Sequence, residues 1–244
     1  MPFYHYIVWY IADAKCINTI DGVYLSEKKN LQYKNPKYAC EVLKRLKKRY
    51  QRDMKTSLNF SDPWELLVAT ILSAQAKDKQ VNKVTKVLFK KYRRIKDFSV
   101  MKPAELYKYT KSIGLYRNKT KNIIKTAKEL HRKFNDKVPM HMEELTKLSG
   151  VGRKTANVVL SNAYNINEGM AIDTHCITVS NRLKMVETKN PVLIERQLMK
   201  LIKKEDWNNA THLFIALGRD ACTARKKYCE RCVLQDICPS SVIK

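Results

Sequence analysis

From Pro36 onward the apolar positions of this chain recur with helical spacing. Trp64, Leu67, Val68, Ile71 and Leu72 fall at i, i+3, i+4, i+7 and i+8, which predicts one apolar stripe on a helix. Ser61-Asp62-Pro63 stands just before it and offers a cap and a first-turn proline. Ile123, Ala127, Leu130 and Phe134 form a second stripe. Ile194, Leu198, Leu201 and Ile202 form a third, after Pro191. Trp207, Ala210, Leu213, Phe214 and Leu217 form a fourth, which Gly218 is expected to close. No segment alternates apolar and polar residues between turn signals, so no sheet is expected. Short connections such as Ser112-Ile113-Gly114 and Leu148-Ser149-Gly150 separate the helices. The pattern therefore predicts an all-α protein of many short helices.

The first residues differ. Phe3 to Ala12 is an apolar, aromatic run, too short to span a bilayer and without the basic start of a signal peptide. Residues 1–34 read as an N-terminal extension, and the chain as a soluble, intracellular protein with no membrane partner. Its 244 residues, 44% apolar, suffice for one large core or two small ones. Charge narrows the function. Lys and Arg number 48 against 23 Asp and Glu, a net +25. Lys15, Lys28 and Lys29 cancel Asp13, Asp21 and Glu27, so all of the excess lies beyond residue 30. Such a balance suits a polyanionic partner, nucleic acid or an anionic membrane face, and a merely basic soluble protein is the plainer alternative.

The segment Leu148-Ser149-Gly150-Val151-Gly152-Arg153-Lys154-Thr155-Ala156 sits between two helices. The first carries Met142, Leu145 and Leu148; the second carries Ala156, Val159, Leu160 and Ala163. Gly150 and Gly152 permit positive φ and a close approach of backbone to a ligand. The second helix begins with N–H groups that lack intrahelical acceptors, and Arg153 and Lys154 add charge there. Together with Thr155 these residues describe a cradle for a DNA phosphate, blind to base sequence. A glycine-ended helix followed by an ordinary turn is the plainer alternative.

Seven cysteines are present. Cys16, Cys40 and Cys176 are scattered, whereas Cys222, Cys229, Cys232 and Cys238 follow the spacing C-x6-C-x2-C-x5-C. Four thiolates in one short segment of an intracellular protein suit zinc or an iron–sulfur cluster. Only one C-x2-C pair occurs, where structural zinc usually has two. Arg225, Lys226 and Lys227 in the first loop are a phosphate contact or a solvated charge run.

LSGVGRKTANVVL resembles the helix–hairpin–helix of the endonuclease III family, and the likeness runs outward on both sides. PWELLVATILSAQAKDKQVNK and IGLYRNKTKNIIKTAKEL upstream, and AIDTHCITVSNRL and FIALGRDACTARKKYCERCVLQDIC downstream, resemble the family's corresponding segments. The likeness spans roughly Asn35 to Pro239; Ser149 departs from it, where the family often has proline. It implies a fold of two helical domains with the DNA cleft between them. One is a six-helix domain over residues 56–166 holding the hairpin; the other joins residues 35–55 to 167–244 and carries a [4Fe–4S] cluster on the four cysteines. It implies a bifunctional DNA glycosylase/AP lyase of base excision repair, a monomer acting on double-stranded DNA that bears oxidised pyrimidines or abasic sites. Lys154 is the implied nucleophile and Asp173 its carboxylate partner, which can also cap the next helix. A lysine must be neutral to attack, against a reference pKa of about 10.4; the helix start, Arg153 and partial burial are expected to discourage its charge. Gln75 and Leu115 match the family's probes of the duplex, an amide for the orphaned base and an apolar wedge. On the residues alone they read as a solvated helix-end glutamine and a core leucine. Asp78 matches a polar position near the site.

Three rivals are weighed against these residues. A one-step adenine glycosylase of the superfamily would place a glutamate in the helix matching Leu66–Lys77, which here has no acid. A monofunctional mismatch glycosylase would have tyrosine where this chain has Lys154. A non-catalytic hairpin module would need neither Lys154 nor Asp173.

Overall fold

The computed structural model describes residues 32–51 and 54–243. Phe3–Ala12 and nearly all of the expected extension lie outside the described residues. Eleven α-helices are found among those described: α1 (Pro36–Tyr50), α2 (Pro63–Ser73), α3 (Asp78–Lys91), α4 (Ile95–Ser99), α5 (Pro103–Thr110), α6 (Tyr116–Lys133), α7 (Met142–Leu145), α8 (Arg153–Ala163), α9 (Thr174–Arg182), α10 (Pro191–Leu201) and α11 (Trp207–Asp220). No strand occurs among the described residues beyond one isolated bridge, between Cys222 and Lys227. The all-α expectation holds.

Local chemistry starts these helices. Pro36, Pro63, Pro103 and Pro191 each open one, where the missing N–H costs nothing. The Asn35, Asp62 and Asn190 side chains accept first-turn N–H groups ahead of α1, α2 and α10. Asp62 takes Glu65 N at 2.9 Å, and the Glu65 carboxylate reaches back to Ser61 N at 2.7 Å.

Two apolar cores form. One gathers α2 to α8 and includes Trp64, Leu72, Phe98, Leu130, Leu145 and Leu160. The other gathers α1, α9, α10, α11 and the segment reaching Leu234. Helix α2 shows more than the expected stripe, because every residue from Trp64 to Leu72 is buried. Helices α3, α6 and α8 all pack against it, so it is the axis of the first core rather than a surface helix. Gly218 does not close α11, which runs on to Asp220. A Cβ at Gly218 would lie 2.8 Å from His175 Cβ, so the glycine lets α9 and α11 touch. The first helix of the hairpin is a single turn, α7, and Leu148 falls in the turn beyond it.

Candidate active site and nucleic-acid interface

The hairpin is anchored on α6. Thr126 Oγ1 donates to Ser149 O at 2.7 Å. The Glu129 carboxylate accepts from Ser149 N at 3.3 Å and from Ser149 Oγ at 3.2 Å. A proline has neither group, so Ser149 replaces ring stiffness with two hydrogen bonds. Gly150 has φ +76°, and a Cβ there would come within 2.6 Å of the Asn122 side chain. Gly152 differs from expectation. Its φ is −87°, and its place as N-cap of α8 leaves the first-turn N–H groups without a side-chain acceptor. Nothing lies within 4 Å of the Cβ it lacks.

Lys154 is exposed on the first turn of α8, and Thr155 beside it is half-buried. The expected partial burial of Lys154 is absent because α8 enters the core only at Ala156. Arg153, expected to set its charge against Lys154 and toward a phosphate, donates from Nε to Glu195 Oε2 at 2.6 Å. That bond holds the guanidinium above its ordinary pKa. Asp173 is the N-cap of α9, accepting from Cys176 N at 2.8 Å. The Cys176 thiol is wholly enclosed. Burial above all, and then the Asp173 charge, push it up, while the Lys154 charge pulls it down. Lys154 and Asp173 thus begin helices that belong to different cores, α8 to the first and α9 to the second.

Gln75 and Leu115 are both exposed, and both hold left-handed backbone, with φ 55° and 58°. That region is disfavoured for side chains of this kind. Leu115 is no core residue, being 62% exposed. Lys119 ties the two loops together. It is buried on the first turns of α6, and its Nζ donates to Leu72 O, at the end of α2, at 2.9 Å. Burial pulls its pKa down. A cation at the start of α6 opposes that helix's dipole but suits the C-terminus of α2. Gln80 Nε2 adds a second tie, to Ser112 Oγ at 2.9 Å. Sequence reasoning missed Lys119, which looks like any other lysine in a basic chain. It also missed His212, whose buried Nε2 has no hydrogen-bond partner. Burial first, then Arg219, push His212 down to about 4, against the pull of Asp173. Asp78 accepts from Ser57 Oγ at 2.5 Å and from Arg219 Nη2 at 3.4 Å, joining α3 to α11.

Cys222, Cys229, Cys232 and Cys238 carry free thiols and line one pocket with Arg182 and Lys227. Arg182 Nη1 donates to Cys222 Sγ at 3.3 Å and to Thr223 O at 2.7 Å. Burial and then the neighbouring thiols push Cys232 up to about 11, and Cys238 rises for the same reasons. No three His, Cys, Asp or Glu side chains among the described residues converge on a single-ion site. The four thiols line one small space, and sulfur donors gathered in one short segment suit zinc or an iron–sulfur cluster. Of the three basic residues in the loop, Arg225 and Lys226 are exposed. Lys227 turns inward and donates to Ser240 O at 2.8 Å.

Residues 68–204 match the family model described as HhH-GPD superfamily base excision DNA repair protein. The endonuclease III of Synechocystis sp. is 44% identical over 203 residues, 83% of this chain and 92% of that protein. A solved non-covalent complex of endonuclease III with DNA superposes with a TM-score of 0.79 at 42% identity, covering 84% of this chain and 96% of that one. A trapped covalent intermediate of endonuclease III with DNA gives 0.77 at 41% identity, covering 88% and 97%. No helix among the described residues is long and apolar enough to cross a membrane.

Proposed function

The chain belongs to the endonuclease III family of HhH-GPD base excision DNA repair proteins, and on that footing we propose that it is a bifunctional DNA glycosylase and AP lyase acting through Lys154 and Asp173. Its substrates in this reading are oxidised pyrimidines and abasic sites in double-stranded DNA, met as a monomer inside the cell. The observation that carries the reading is that Lys154 and Asp173 stand at the starts of α8 and α9, two elements bridged by the Glu195 carboxylate through Arg153 Nε and Met170 N. The Lys154 amine attacks C1′ of the sugar, and the bond to the base breaks with its electron pair leaving on the base. Asp173 offsets the positive charge that develops on the sugar and helps move the amine proton. The C1′–O4′ bond then breaks, O4′ leaving as a hydroxyl that takes up the proton lost by the amine, and the nitrogen lone pair closes the imine; this acidifies C2′–H, and loss of that proton breaks the C3′–O bond, expels the 3′ phosphate and nicks the strand. The exposed Gln75 and Leu115 fill the gap left by the extruded nucleotide. Gly150, Gly152 and Thr155 hold a backbone phosphate at the open start of α8.

The two cores support a partition into residues 56–166 and residues 35–55 with 167–244, the DNA cleft lying between them. Cys222, Cys229, Cys232 and Cys238 would hold a [4Fe–4S] cluster, which supplies cross-links to a terminal segment with little core of its own. Purified protein is expected to carry iron and acid-labile sulfide in equal amounts; zinc without sulfide refutes the assignment.

Borohydride added during turnover tests the chemistry. It reduces the imine, so wild-type protein should become covalently joined to damaged duplex. Lys154→Ala removes the amine and should abolish both trapping and base release. Asp173→Asn keeps a side chain that caps α9 and removes only the charge. It should bind damaged DNA yet turn over slower by about a hundredfold or more. Trapping by Lys154→Ala would assign the nucleophile elsewhere. Base release without trapping or nicking in wild type would make the enzyme monofunctional.

A further inference from the structure

Two glutamates are buried among the described residues. Glu65 closes the start of its own helix, as described above. Glu195, on α10 and only 3% exposed, joins three separate elements. Its Oε2 accepts from Arg153 Nε at 2.6 Å, on the first turn of α8. Its Oε1 accepts from Asn157 Nδ2 at 3.0 Å, one turn further along α8, and from Met170 N at 3.1 Å. Asn157 Nδ2 also donates to Met170 O at 3.2 Å. Gly169 has no room for a side chain here, since a Cβ would lie 2.0 Å from Glu195 Oε1.

The arrangement is costly. A carboxylate taken out of water loses several kcal/mol of solvation in order of magnitude, which its partners must offset. Here each oxygen meets a donor, and a glycine makes the space. What the network joins gives that cost a purpose. Arg153 precedes Lys154 in the first turn of α8, which belongs to the first core. Met170 lies three residues before Asp173, on the connector into α9, and Met170 and α10 belong to the second core. The carboxylate therefore spans the joint between the elements that carry Lys154 and Asp173.

We infer that Arg153 and Glu195 form a positioning pair that fixes Lys154 relative to Asp173, and that Arg153 does not serve as a phosphate contact. The inference rests on the roles proposed above for Lys154 and Asp173. A small misplacement of a reacting group costs a large factor in rate, so the pair acts on the chemical step.

Arg153→Gln is the first test, made in the full-length protein with its cluster loaded. Its side chain is 45% exposed, so the variant should fold, and thermal melting checks that. Base release and borohydride trapping are followed in single turnover with saturating enzyme. Affinity for a duplex carrying a tetrahydrofuran abasic analogue is measured across a salt series. A positioning role predicts rates lower by about tenfold to a hundredfold, with affinity and its salt slope unchanged. Glu195→Gln should match it, and the double variant should be little worse than either single one, because the pair is a unit. Wild-type rates in Arg153→Gln with a salt slope smaller by about one would make Arg153 a phosphate contact and overturn the inference. Wild-type rates and slope together overturn it too, as does a rate loss that vanishes on cooling below a lowered melting transition. Wild-type protein that never traps would instead bring down the Lys154 reading itself.

Discussion

Leu115 does two things that leucines avoid. It holds left-handed backbone, which costs an L-residue roughly 1–2 kcal/mol, and it leaves most of its side chain in water. Gln75 shares the first trait. Of the other non-glycine residues at positive φ among those described, Asn135, Asp136 and Asn165 are types that tolerate it, and Lys184 takes the left-handed turn that ends α9, where Met185 N donates to Ser180 O and Lys184 N to Asn181 O. Strain at two exposed positions whose loops are held together by Lys119 is consistent with parts set in place for a ligand. A glycine substitution separates the backbone from the wedge. Leu115→Gly relieves the strain but adds about 0.5–1 kcal/mol of unfolded-chain entropy, so the melting temperature should hold or rise slightly. Excision from duplex should fall more than about tenfold for want of a wedge. Excision at the wild-type rate would return Leu115 to an ordinary exposed loop residue. None of this strain was legible in the sequence, because neither position carries the glycine or asparagine that marks such backbone. The resemblance pointed to both residues, while the residues alone suggested a core leucine and a solvated glutamine.

Helix starts were more legible than helix surroundings. Proline and the Asx caps act within a few residues of their own position, and Pro63 with Asp62, or Pro191 with Asn190, stand where the helices begin. Surroundings depend on what arrives from elsewhere in the chain. The stripe of α2 was visible, but Leu66 and Ala69 on its other side are buried only because α3, α6 and α8 converge on it. Gly218 reads locally as a stop. In the fold it continues a helix whose neighbour, His175 on α9, leaves no space for a methyl group. Gly152 reads as a flexible turn and is in fact an extended N-cap. Lys154 and Asp173 were named from motifs, and each lies at the start of a helix, as a reading of local chemistry can anticipate. Glu195 stayed hidden because its partners come from two other segments of the chain, and a glutamate in an amphipathic helix looks like surface.

At the scale of the whole molecule the dominant quantity is charge. A net +25 on 244 residues repels itself and opposes folding, and it is offset when a polyanion binds. Several cations already have carboxylate partners, among them Arg45 with Asp236, Lys47 with Asp206 and Arg153 with Glu195. Others are exposed to solvent, and the loop between Cys222 and Cys229 shows how the two kinds differ. Arg225 and Lys226 are exposed, whereas the Lys227 ammonium is turned onto Ser240 O at the rim of the cysteine pocket. Each phosphate neutralised releases counterion, so the logarithm of affinity falls with the logarithm of salt by about 0.9 per contact. Five contacts would weaken binding to undamaged duplex about 500-fold between about 50 and 200 mM salt. Lys226→Ala should reduce that slope by about one and leave iron content unchanged. Lys227→Ala should leave the slope alone and loosen the pocket, seen as faster loss of iron to a chelator. A slope near zero in the wild type would mean that the excess charge serves something other than DNA. A slope lowered by Lys227→Ala and untouched by Lys226→Ala would mean that the loop rearranges when it meets the duplex.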